Sequence, residues 1–161
     1  MDDEEPKTLS VIPPESLALN PDYEYLKKLN ENNPYKAFII IHATLQAQMK
    51  LALFEDKRNR WKGRDPARTW SLLVTTTYFR ELTKMCLISG IIDDRLCDRL
   101  NGFNKDRNEL IGHISPRSTK YVSDKRVKAI CERGLELLRD LRVKLMDVLF
   151  ERLDQKAEGR S

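Results

Sequence analysis

Two side chains near the middle of the chain have the types and spacing for phosphate chemistry. Arg107 and His113 lie in the run Phe103-Asn104-Lys105-Asp106-Arg107-Asn108-Glu109-Leu110-Ile111-Gly112-His113. A guanidinium fork matches phosphoryl oxygens two at a time and stabilises the charge that builds on them. An imidazole carries a proton near neutral pH. The pair is the minimum equipment for cleaving RNA through its own 2′-hydroxyl, a reaction that calls for no metal and no cofactor, and Asn108 is placed to position one of the two groups. The competing reading is plainer: an arginine paired with a carboxylate, and a histidine at a helix end satisfying loop carbonyls.

The elements around the pair decide whether it can act together. Counting back at about 100° per residue, Leu96, Leu100 and Phe103 fall within about 40° of Arg107 on one helix face, so a permanent cation continues an apolar stripe. His113 would point about 120° away if that helix ran straight through it. Gly112 is therefore expected to end the helix, with Pro116 just beyond, leaving His113 free to turn toward the arginine. The following segment, Ile114 to Val122, reads as a loop in which Arg117 and Lys120 are candidate contacts to a nucleic-acid backbone.

A long helix expected from Pro34 to about Arg58 supplies two further candidates, His42 and Gln46, one turn apart on the same side and set into an apolar face. A histidine in that setting is more often a hydrogen-bonded core residue. Residues 56 to 68 carry six Lys or Arg with Trp61 among them. That loop could hold a single strand by phosphate contact and stacking, or be a solvated linker.

The run Leu87-Ile88-Ser89-Gly90-Ile91-Ile92-Asp93-Asp94, then Leu96, Leu100, Asp106-Arg107-Asn108 and His113, resembles the HEPN superfamily (higher eukaryote and prokaryote nucleotide-binding domains), close to the branch of the mannitol operon repressor. The likeness spans roughly residues 35 to 155. The superfamily signature is an Arg followed by a polar residue, and a His after four to six intervening residues; in that branch the interval is often one residue shorter than here. The resemblance implies an all-helical domain that dimerises with its motif helices facing each other, often a metal-independent ribonuclease. In some members it is a regulator or binding module instead.

The rest of the chain fits a helical domain. Its 161 residues are 34% charged and 40% hydrophobic with six glycines, enough to bury a core without staples. No apolar run is seen to approach the ~20 residues that cross a bilayer, and no secretory signal is recognised, so a cytoplasmic protein without membrane contact is expected. Cys86, Cys97 and Cys131 stand singly and read as buried free thiols. The net charge is +4. Residues 1 to 24 hold seven acids against Lys7, leaving about +10 on the remainder and inviting a phosphate-bearing partner.

In chain order we expect an arm over residues 1–19, a helical domain over 20–156 and a disordered tail over 157–161. Within the domain, Asn20 caps a short helix through Leu29, and Thr69 caps a second long helix running to Gly90. Asp93 caps the motif helix, and Ser123 caps a last helix whose stripe runs from Val127 to Leu153, with Gly134 as its one gap. The whole is an all-α, HEPN-like bundle of four main helices with a short N-terminal helix and arm, forming a homodimer. The expected activity is endoribonuclease cleavage of single-stranded RNA, as a toxin or defence nuclease with an antitoxin or regulatory protein as partner. The alternative is a non-enzymatic regulator or binding module.

Overall fold

The computed structural model describes residues 21–56, 65–76, 78–114 and 122–159, with only the backbone at 76 and 112–114. It is all-α. Six helices stand among the described residues: α1 (Tyr23–Asn32), α2 (Pro34–Glu55), α3 (Pro66–Thr76), α4 (Phe79–Ile88), α5 (Asp94–Ile114) and α6 (Asp124–Glu158). The arm over 1–19 and the basic stretch 57–64 with Trp61 lie outside the described residues, as do Arg117 and Lys120.

Short polar side chains start these helices, as their chemistry dictates. Asp93 Oδ1 accepts from Leu96 N at 2.8 Å at the head of α5, and the Ser123 side chain accepts from Arg126 N at the head of α6. At the head of α1 the cap is Asp22, whose Oδ1 accepts from Tyr25 N at 2.8 Å, rather than Asn20. Asn33 serves α2 in the same way, through Lys36 N.

The expected second long helix is two helices. α3 begins at Pro66, where Asp65 Oδ1 accepts from Ala67 N, so Thr69 lies inside it. It ends at Thr76 within the β-branched run, and Lys50 donates to Val74 O at 3.1 Å near its last turn. α4 then opens on Tyr78, whose N–H is taken by Glu81 three residues on, the return half of a capping box. Gly90 closes α4 with φ 70° while Ile91 N reaches back to Cys86 O, a left-handed C-cap that favours glycine.

The core sits between α2 and α6, the most extensively packed pair. Ile41, Leu45, Met49 and Leu53 of α2 meet Ile130, Leu137, Leu138, Leu141 and Leu145 of α6, all essentially fully buried. By length and composition α2 is apolar enough to cross a bilayer, contrary to the sequence expectation, but 56% of its apolar window is buried inside the bundle. Gln48 and Thr44 are buried with it. Cys86, Cys97 and Cys131 are free and buried; burial pushes the Cys131 thiol up to about 12, so at neutral pH it packs as a small apolar group.

Gly134 sets how α5 lies on this core. A Cβ there would stand 2.6 Å from Ile41 Cγ2 and 2.7 Å from Phe103 Cε2, closer than carbon atoms can approach. The glycine on α6 is thus a notch that receives one side chain from α2 and one from α5. Gly102, by contrast, has nothing within 4 Å of an added Cβ. Alanine in place of glycine inside a helix ordinarily gains up to about 1 kcal/mol, whereas overpacking a tight core costs roughly 1–3 kcal/mol. In urea denaturation Gly102→Ala should therefore stabilise the protein and Gly134→Ala destabilise it by up to about 2 kcal/mol; equal effects would show that the notch is not tight.

Candidate functional site

Helix α5 carries the site, and ion pairs to α6 fix its rotation. Arg133 pairs with Asp106 at 2.8 Å, Arg126 with Glu109 at 2.8 Å, and Arg99 with both Asp140 and Glu136. Exposed pairs like these contribute little stability individually. Spread over three turns of one face, however, they hold that face against α6 and turn the Arg107 side toward α2.

The apolar row below Arg107 is buried as its spacing predicts, through Leu96, Leu100, Phe103 and Leu110, while Ile111 is exposed. Arg107 itself is half-buried. Its Nη1 donates to Asn108 Oδ1 at 3.1 Å, and among the described residues no carboxylate pairs with it. The competing reading of an arginine paired with a carboxylate finds no such acid among the described residues. Four of the five guanidinium N–H donors have no bond to a described side chain.

The imidazole beside Arg107 is that of His42. α2 and α5 do not pack backbone to backbone; aromatic rings span the gap. The His42 ring stacks on Phe79 with centroids 4.8 Å apart, and lies 6.4 Å from Phe103 and 6.3 Å from Phe38, which in turn touch each other at 5.3 Å. Burial, then the positive charge of Arg107, push the His42 pKa down to about 4, against a smaller opposing hydrogen bond with the Asn104 side chain. Nε2 is buried without a partner, a tolerable state for the bare nitrogen of a neutral ring and an expensive one for an imidazolium. At neutral pH His42 is an uncharged wall of the site. Gln46, one turn further, is half-buried and lies outside the groove described next.

Tyr35, Phe38, Ile39 and His42 on α2 face Arg107, Leu110 and Ile111 on α5 across a groove of about 180 Å³. The spacing i, i+3, i+4, i+7 on one helix and i, i+3, i+4 on the other makes two ridges with a slot between them. Tyr35 holds its place by donating from its hydroxyl to Val122 O at 2.8 Å.

The expected helix stop at Gly112 is not there. α5 runs unbroken through Gly112 and His113 to Ile114, and Gly90 is the one described glycine with positive φ. Glycine permits a left-handed cap without compelling one. On a continuous helix the backbone positions 107 and 113 stand about 120° apart around the axis; the side chain of His113 lies outside the described residues. Asn104 was missed by sequence reasoning, although it sits one turn before Arg107 and Asn108 on the face that meets His42. No family profile, curated protein or solved structure matches the chain.

The depressed His42 pKa has a signed consequence. The unfolded imidazole, ordinarily near 6.5, takes its proton before the folded one does, so stability is lost as pH falls from about 6.5 toward 4. Discounting for the ring's remaining contact with water, about 1 kcal/mol should disappear between pH 7 and 5. Urea midpoints at the two pH values should show that loss in the wild type and a smaller one in His42→Phe. An unchanged loss in the variant would place the titration elsewhere.

Proposed function

We propose that this chain is a metal-independent endoribonuclease acting on single-stranded RNA as a homodimer. The observation that carries the reading is Arg107, a half-buried guanidinium with no carboxylate partner among the described residues, lining the α2–α5 groove. Leaving a permanent cation partly desolvated is costly unless an anion is meant to meet it.

In the proposed reaction Arg107 binds the non-bridging oxygens of the scissile phosphate, and Asn108 holds the guanidinium in orientation. The 2′-oxygen attacks phosphorus as its proton leaves to a base. The P–O5′ bond then breaks, and the 5′-oxygen departs with a proton from an acid. The products are a 2′,3′-cyclic phosphate and a 5′-hydroxyl. His113 is the proton carrier, and a second copy of the chain would supply a second imidazole, so that base and acid can be different rings. His42, neutral and sealed at Nε2, is not given that task. Arg117 and Lys120 are further contacts to the backbone of the strand in this reading.

A second reading has its own support. Because α5 continues through Gly112, positions 107 and 113 fall on different faces of one helix. That favours a regulator or binding module, which would keep the anion contact of Arg107 and never use the histidine on the same phosphate.

Incubating single-stranded RNA with wild type, Arg107→Ala and His113→Ala in EDTA separates the two. Nuclease action predicts cyclic-phosphate ends from the wild type and a fall of about a hundredfold or more in each variant. Binding alone predicts no turnover by the wild type, with retention of the strand weakened by Arg107→Ala only. Equal cleavage by all three proteins would reject both roles.

A further inference from the structure

The groove around Arg107 has walls that a phosphate alone does not need. Its lining is almost wholly apolar, with Phe38 and Leu110 buried and Ile39 and Ile111 left 64% and 48% exposed along the two rims. Among the described residues its one charged group is Arg107. An apolar slot with a guanidinium fork at its side suits a ligand with a flat, poorly hydrated body and an anion next to it.

We infer that the α2–α5 groove is a subsite for one unstacked nucleobase of a single strand, with the adjoining phosphate on Arg107. The inference rests on the proposed reading that the partner is a nucleic acid, and it adds which part of the strand the groove takes. A groove of about 180 Å³ is on the scale of one ring system rather than of a base pair. A duplex would have to open to enter.

The lining also says how the base is recognised. The Tyr35 hydroxyl is committed to Val122 O, and His42 Nε2 is sealed within the protein. Among the described residues no other groove-lining side chain except Arg107 carries a polar group. Recognition is therefore by shape and by contact with ring faces, which every base offers, so the subsite tolerates sequence while requiring an unpaired base. A second copy of the chain is the rival occupant for a slot with isoleucine rims. An apolar side chain from that copy would cover the walls but leave Arg107 further desolvated without an anion, the costlier outcome; a nucleotide answers both features together.

The test uses the full chain and a fluorescent deoxyribose strand of roughly ten thymidines, within the span such surfaces cover. This strand lacks the 2′-hydroxyl and cannot be cleaved by the proposed route. A strand of the same length without bases keeps the phosphates alone. Anisotropy should show wild type binding the thymidine strand about tenfold tighter than the abasic one. Arg107→Ala should weaken both. The double variant Ile39→Asp/Ile111→Asp, at two exposed positions, should erase the preference for bases with helicity retained by circular dichroism. The His42 ring resonance of the wild type should move with the thymidine strand and not with the abasic one, which keeps the test decisive should the double variant fail to fold.

Equal affinity of wild type for the two strands, or a silent His42, overturns the inference. So does a double variant that becomes monomeric by gel filtration while its thymidine-strand affinity is unchanged, since the groove is then an interface between copies. Cleavage of RNA by a wild type with no base preference would leave the nuclease reading standing and the subsite rejected. Base-dependent binding with no RNA cleavage would do the reverse.

Discussion

The structure depends on a notch. Gly134, in the middle of α6, leaves room for Ile41 from α2 and the ring of Phe103 from α5, and at this point the central helix pair meets the helix that carries the site. With Phe103 seated there, its neighbours Phe38 and His42 are brought within ring-contact distance. α5 is thereby held alongside α2 by its side chains, chiefly rings, with its backbone kept at a distance. A gap bridged by rings at its base is open at its top. The groove is thus a by-product of how the core closes.

Electrostatics completes what packing begins. The arginines between α5 and α6 are of two kinds. Arg99, Arg126 and Arg133 each meet an acid across the helix pair, and they act as struts. Arg107, about 100° around α5 from Asp106, faces the other way and among the described residues meets only the amide of Asn108. Its field is felt by His42, which burial and the nearby cation keep neutral. The site accordingly offers one positive charge in apolar surroundings, where attraction to an anion is less screened than in water.

Much of this was legible in the sequence, and the rest was not for identifiable reasons. Periodicity gave the all-α class, the apolar row beneath Arg107 and the core face of α2, because large apolar residues at 3–4 spacing leave few alternatives. Asp93, Ser123 and Gly90 marked their boundaries, since a short polar cap or a left-handed glycine acts on its immediate neighbours. The break between α3 and α4 was readable in principle from Val74 to Thr77 followed by Glu81, but resumed apolar spacing beyond it masked the interruption. Gly112 misled because glycine only allows a helix to stop. The contact of His42 and Asn104 with the Arg107 region joins residues about sixty positions apart, and no local pattern on either helix announces such a meeting.

The central proposal is that Arg107, which has no carboxylate partner among the described residues, meets an anion on a strand in the α2–α5 groove. The most direct measurement is the Arg107 Nε–Hε resonance in nitrogen-edited NMR while a non-cleavable single strand is added. The account predicts a saturable shift of this resonance, reaching its plateau together with the change in anisotropy of the strand. An Arg107 signal that stays fixed while the strand binds, with the shifts confined to other arginines, would contradict it.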